Sequence, residues 1–186
     1  RLTAAEACAA MGDPLLLAPL ILGLAEPELR AACIRALGSM PADAVAPIAR
    51  LVDDASMALS GRCAMARVLG RIGGALAVET LWAHVGSAHP LGLRLAAAES
   101  LRLMRSRDAL PRFEPRDYDQ QIDQICGLCG VLDQTLRELR ATDTFALAIF
   151  ADHARLHIEL LCALLALRYD MSAIERVKFN LFSESR

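Results

Sequence analysis

The feature that most constrains this chain is a repeat in its first two thirds. RAACIRALG begins at Arg30, RCAMARVLG at Arg62 and RLAAAESLR at Arg94, so each copy starts 32 residues after the one before it. A further copy, RLTAAEACAAM, begins at Arg1, 29 residues before Arg30. A unit of this size cannot bury its apolar face alone, so neighbouring units must stack on one another. The spacing therefore predicts a repeat array.

Each repeat also contains a second apolar segment with helical character. These segments are LLLAPLILGL from Leu15, ADAVAPIARLV from Ala42 and ALAVETLWAHV from Ala75. Short breaks rich in Gly and Pro, such as Met40-Pro41 and Gly73-Gly74, separate these segments from the repeated motif. Such breaks end helices, because glycine tolerates a left-handed cap and proline lacks an amide donor. Because no alternating strand pattern is present, we predict an all-α solenoid of helix pairs.

The repeated motif resembles that of the HEAT-like repeat family, in particular its short bacterial PBS-lyase-type form, in which Arg-x-Ala-Ala-x-x-x-Leu-Gly opens the second helix. The matching residues are Arg30, Ala31, Ala32, Leu37 and Gly38, then Arg62, Ala64, Leu69 and Gly70. Two positions depart from the motif, since Arg102 occupies a Gly position and Cys8 a Leu position. The resemblance covers residues 1–106 and implies protein binding more often than catalysis.

The resemblance also implies which face binds, because the second helix of each HEAT-like unit lines the concave side. The solvent-facing positions of these helices are Arg35, Arg67, Glu99 and Arg102. We predict that these four residues form a protein-binding site. Their mostly basic character suits an acidic partner segment, either from another protein or from the same chain.

The arginine that opens each copy has two interpretations. It can form an anion-binding ladder along one face, or it can pair with acidic residues in the preceding turn. Candidate partners are Glu26 and Glu28 before Arg30, and Asp53 and Asp54 before Arg62. We favour the second, structural interpretation.

The pattern changes after the repeats. We predict three segments, namely HEAT-like repeats at 1–106, a linker at 107–116 and a C-terminal helical block at 117–186 that packs on or extends the solenoid. The block begins with one long helix whose apolar residues from Tyr118 to Leu139 follow a heptad-like spacing. Gly127 and Gly130 on this helix are expected to let another helix approach closely. Two further helices follow.

Cys126 and Cys129 lie on the long helix, where we interpret them as packing residues. The alternative is a zinc site. If the first two helices of the block form an antiparallel hairpin, His153 and His157 lie level with the cysteines, and Cys₂His₂ is a common tetrahedral ligand set. We expect no metal and no cofactor.

Composition argues against several function classes. The formal net charge is −2, which gives no general attraction to nucleic acid. A nucleic-acid-binding HEAT protein of the repair-glycosylase type is therefore the alternative and not the prediction. We find no catalytic motif and predict a protein that is not an enzyme. The six cysteines are scattered, which favours a reducing compartment, and we predict a cytoplasmic location.

The final stretch, RYDMSAIERVKFNLFSES at 168–185, resembles the C-terminal part of cytosolic HEAT extensions on bacterial nucleotide-translocator-like membrane proteins. The abundance of Ala and Arg also favours a bacterial source. We therefore expect a soluble, non-catalytic binding and scaffolding module that is a fragment of a larger protein. The resemblance implies tethering to a membrane domain without direct membrane insertion.

Overall fold

A computed structural model describes residues 14–24, 26–86, 88–107, 117–139 and 144–183. Within these ranges the chain forms nine α-helices, which we number in chain order. They are α1 (Leu17–Gly23), α2 (Pro27–Leu37), α3 (Val45–Asp53), α4 (Leu59–Ile72), α5 (Ala75–Ala83), α6 (Leu91–Ser106), α7 (Tyr118–Glu138), α8 (Thr144–Leu165) and α9 (Met171–Ser183). The chain divides into two compact units, Arg1–Phe113 and Glu114–Arg186.

The first unit is built from helix pairs. Helix α1 packs on α2, α3 on α4, and α5 on α6. Between pairs, α2 packs on α4 and α4 on α6, while α3 packs on α5. The first helices thus form one layer and the second helices another, which confirms the predicted all-α solenoid. The copy predicted at Arg1 lies outside the described residues.

The repeated alanine and leucine positions form the core of this unit. Ala64, Leu69 and Leu101 are completely buried, Ala32 is 2% exposed and Ala96 is 3% exposed. Small side chains at the alanine positions let neighbouring helices approach, and the leucines fill the space between the two layers. The repeat period therefore places equivalent side chains in equivalent buried positions.

The arginine that opens each copy donates a hydrogen bond to a backbone carbonyl at, or just beyond, the end of the preceding first helix. The Nε–O distances are 2.9 Å from Arg30 to Leu24, 2.7 Å from Arg62 to Val52 and 2.8 Å from Arg94 to Val85. The last carbonyls of a helix have no partner within it and carry partial negative charge, so a guanidinium suits them well. The structure supports the structural interpretation, with backbone oxygens and not carboxylates accepting these hydrogen bonds. Of the expected acidic partners, Asp54 interacts with Arg62 electrostatically, since the Arg62 charge contributes, after the Ser56 hydrogen bonds, to the lowered pKa of Asp54.

The second unit is a helical hairpin followed by a shorter helix. Helix α7 packs on α8, and α9 packs on α8. The Tyr118 hydroxyl, itself buried, donates a 2.6 Å hydrogen bond to the Leu164 carbonyl, and Ile125 and Leu160 are fully buried. Of the predicted linker only residue 107 is described, so the proposed three-segment division stays a prediction. None of the described helices combines the length and apolar character needed to cross a bilayer.

Candidate functional site

A groove with a cavity volume of about 350 Å³ runs across the second helices of the first unit. Its lining residues are Ala31, Ile34 and Arg35 of α2, Arg67 and Arg71 of α4, and Glu99, Ser100, Arg102 and Leu103 of α6. The structure thus brings all four sequence-predicted site residues to one groove. Their part in binding stays a prediction.

The repeat period explains why these side chains share a face. Arg35, Arg67 and Glu99 are 32 residues apart and so occupy the same position on three successive second helices. Sequence reasoning missed Arg71, which lies one helical turn after Arg67 and therefore on the same face of α4. Its four-residue spacing from a predicted site residue was the signal that would have identified it.

The charge of the groove is uneven. Arg35, Arg67 and Arg71 are exposed on α2 and α4. On α6, Glu99 and Arg102 are partly buried and form an ion pair, with 2.8 Å between Arg102 Nη2 and Glu99 Oε2 and 2.9 Å from Nε to the same oxygen. The groove therefore carries three exposed arginines on α2 and α4 and an ion pair on α6.

Two glycines of the repeated motif allow the second helices to approach closely beside the groove. A Cβ built on Gly38 would lie 2.6 Å from both Cβ and Cδ of Arg71, and one built on Gly70 would lie 2.6 Å from Ser100 Cβ and 3.0 Å from Ser100 Cα. A distance of 2.6 Å is too short for a real Cβ, so the second helices approach this closely only because both residues are glycine. The Gly38 position accommodates the stem of Arg71, and the Gly70 position brings α4 against α6.

The cysteine pair lies in the second unit and does not behave as predicted. Cys126 is exposed and Cys129 only half-buried, so the packing interpretation is wrong for Cys126. The close helix approach expected at Gly127 and Gly130 is also wrong, because a Cβ built at either position meets nothing within 4 Å in the structure. Helix α8 covers a different face of α7.

The Cys₂His₂ alternative has no geometric support. In the part of the chain that the structure describes, no three His, Cys, Asp or Glu side chains are placed to hold a metal ion. His157 Nδ1 instead lies 2.9 Å from the His153 carbonyl, within α8. Burial, together with the neighbouring Cys126 and Cys162 thiols, raises the pKa of the Cys129 thiol, which disfavours the thiolate that zinc requires.

We predict that the purified protein carries no stoichiometric zinc. The physical reason is that the four candidate ligands do not converge, and a tetrahedral site needs all of them within about 2.3 Å of the metal. Elemental analysis of protein prepared without chelators measures this directly. About one zinc per chain that disappears in Cys126→Ser would show that the ligands do converge in solution.

A second polar cluster joins the ends of α3 and α5. His84 is 2% exposed, its Nδ1 lies 2.8 Å from the Thr80 carbonyl, and its Nε2 lies 3.1 Å from Asp53 Oδ1. Because a carbonyl only accepts, Nδ1 carries a proton. The His89 ring lies 4.5 Å from the His84 ring, and burial together with the His84 charge lowers the pKa of His89. The cluster links two helix pairs, and no local sequence pattern predicted it.

A comparison with protein families identifies the type of repeat. A family model described as HEAT repeats matches residues 16–102. This region carries HEAT-like repeats. The match contains the six helices described in the first unit except the last residues of α6. It also contains every residue that lines the groove except Leu103. Comparisons with curated proteins and with solved structures gave no significant match.

Proposed function

We propose that this protein is a non-catalytic protein-binding module whose groove across α2, α4 and α6 receives an acidic segment of its partner. One observation carries the proposal, namely that Arg35, Arg67 and Arg71 lie exposed along a single open groove of a repeat that commonly serves as an interaction scaffold. Charge complementarity of this kind directs encounter and fixes the register of a complex.

Two features of the groove favour protein over nucleic acid. Glu99 and Arg102 form an ion pair on α6, so the row of exposed arginines ends at α4 and is too short to follow a phosphate backbone. No aromatic side chain belongs to the groove lining as described, whereas single-stranded nucleic acid is usually held by stacking on aromatic rings. The net charge of −2 adds no general attraction to a polyanion.

The context of the module belongs to the same proposal. The scattered cysteines support a cytoplasmic, reducing location, and the composition supports a bacterial source. The likeness of residues 168–185 to the tails of translocator-like HEAT extensions supports a module that forms part of a larger protein and is tethered to a membrane domain. The partner then lies on the cytoplasmic side of that membrane.

We predict that reversing two groove charges abolishes most partner binding. Arg35→Glu combined with Arg67→Glu places carboxylates opposite the acidic segment, and the affinity should fall by about 10- to 100-fold. The matched control is Arg50→Glu, an exposed arginine on α3 outside the groove. Immobilised wild type and variants are compared for partners captured from the producing organism, and the affinity for each captured partner is then measured by calorimetry.

Two results would contradict this function. One is a double variant that retains every partner that the wild type and Arg50→Glu capture. The other is tight, salt-sensitive binding of DNA by the wild type in a gel-shift assay at physiological salt, which would favour the nucleic-acid-binding alternative.

A further inference from the structure

We infer that the His84–His89 pair is a pH-sensitive contact that holds the turn between α5 and α6 against the end of α3 at neutral pH and releases it when the protein is acidified. The pair lies in the first unit and does not belong to the groove lining as described. The inference goes beyond the proposed function and does not depend on it.

The two histidines lie at opposite ends of one short turn. His84 directly follows α5, and His89 is the second residue before α6. The His89 amide donates a 3.2 Å hydrogen bond to the Gly86 carbonyl, and the ring centres of the two histidines are 4.5 Å apart. The contact between the rings therefore spans the turn that leads into α6.

The His84 ring is fixed by its surroundings. It is buried, and its Nδ1 donates a 2.8 Å hydrogen bond to the Thr80 carbonyl. Its Nε2 lies 3.1 Å from Asp53 Oδ1 without forming a hydrogen bond, so this second contact is electrostatic. Asp53 is the last residue of α3, so the ring connects the ends of α3 and α5. It cannot turn away from His89 without losing these contacts.

The charges around the pair are unequal. Among the residues that the structure describes, Asp53 is the carboxylate that interacts with either ring, while the Arg62 charge of α4 also acts on His89. On α6, Arg94 is buried and donates a 2.8 Å hydrogen bond to the backbone carbonyl of the residue after His84. Asp53 offsets one positive charge, so a second imidazolium is opposed by the first and by Arg62. Charging both rings at this distance is therefore unfavourable.

The pKa of His89 gives the direction of the pH effect. Burial, followed by the charges of His84 and Arg62, lowers the pKa of His89 in the folded chain, and a backbone hydrogen bond of Ala83 and the Asp53 charge only partly oppose this. In the unfolded chain the pKa of a histidine is about 6.5. The unfolded chain therefore takes up this proton first. The stability is complete above about pH 6.5 and is lost as the pH falls through the lowered pKa.

Urea unfolding of the full chain, followed by Trp82 fluorescence, tests the contact. Between about pH 7.5 and about pH 5.5 the urea midpoint of the wild type should fall, and in His89→Asn the fall should be about half as large. The matched control is His153→Asn, which replaces an exposed histidine on α8 in the second unit and should retain the pH dependence of the wild type. An equal fall in the wild type and His89→Asn would overturn the inference.

Amide hydrogen exchange shows whether the turn loosens. Protection factors correct for the effect of pH on the intrinsic exchange rate. In the wild type, those of the first turns of α6 should fall about tenfold between about pH 7.5 and about pH 5.5, and those of α2 should change less. In His89→Asn, protection in α6 should not depend on pH. Protection in α6 of the wild type that is the same at both pH values would contradict release of the turn.

Proton NMR measures His89 in the wild type and does not require a folded variant. The chain has four histidines, and the Cε1 proton of His89 is identified by its through-space contact with the His84 ring. Its titration should have a midpoint below about 6.5, the ordinary value for histidine. A midpoint at or above this value would show that the folded chain does not resist protonation of His89, and the inference would be wrong.

Discussion

Gly70→Leu should lower the free energy of unfolding of the first unit by about 3 kcal/mol. A Cβ at this position would lie 2.6 Å from Ser100 Cβ and 3.0 Å from Ser100 Cα. Ser100 cannot rotate away, because the contacting atoms belong to its backbone or adjoin it. Helices α4 and α6 must therefore separate, which loosens the packing of Leu69 and Leu101, both fully buried.

Urea unfolding followed by tryptophan fluorescence measures this effect. The chain has one tryptophan, Trp82 on α5, so the signal reports on the first unit. The matched control is Gly92→Leu, since Gly92 is exposed on α6 and a Cβ there meets only Leu59 Cδ2, at 3.9 Å. We expect this control to change stability by less than about 1 kcal/mol. Equal unfolding midpoints for the two variants would show that the close crossing at Gly70 does not exist.

Tyr118→Ala should lower the free energy of unfolding of the second unit by about 3–5 kcal/mol. The Tyr118 ring is 7% exposed and its hydroxyl donates a 2.6 Å hydrogen bond to the Leu164 carbonyl, near the end of α8. The Arg168 guanidinium also lies 5.4 Å from the centre of the ring. Truncation would leave a cavity between α7 and α8, remove a hydrogen bond to a helix-end carbonyl, and abolish the cation–π contact.

Amide hydrogen exchange across α7 and α8, with circular dichroism during urea unfolding, assigns the loss to this unit. Tyr118→Phe isolates the hydroxyl and should cost about 1 kcal/mol. Tyr169→Ala removes a tyrosine that is 55% exposed and should have little effect. Protection in α7 and α8 that is the same in Tyr118→Ala as in Tyr169→Ala would contradict the central role of Tyr118.

The groove shows which residues of a site can be predicted from a sequence repeat. Because helical side chains three, four and seven residues apart share a face, a 32-residue period places Arg35, Arg67 and Glu99 at equivalent positions before any coordinates are known. Arg71 was missed because the prediction took one position per helix, although the next turn of the same face lines the groove as well.

The errors share a different cause. The carbonyls that accept hydrogen bonds from Arg30 and Arg62 belong to Leu24 and Val52. These acceptors are backbone atoms, so the identity of the side chain does not predict them. The nearby acidic residues were therefore the more visible candidates, although backbone oxygens accept the hydrogen bonds. Likewise, the apolar spacing along α7 identified a buried face, but not how far around the helix its neighbours extend, and Cys126 is exposed.

The sequence by itself determined the helix pairs, the repeat phase, the buried alanine and leucine positions and the face that carries the arginines, because these follow from local periodicity and from the steric limits of Gly and Pro. Only the tertiary structure decided the carbonyl partners of the arginines, the approach of Gly70 to Ser100, the contact between His84 and Asp53, and the open surroundings of Gly127 and Gly130. Each of these depends on how far apart two segments lie once packed, and that distance results from the whole set of contacts between helices and not from the residues at either position.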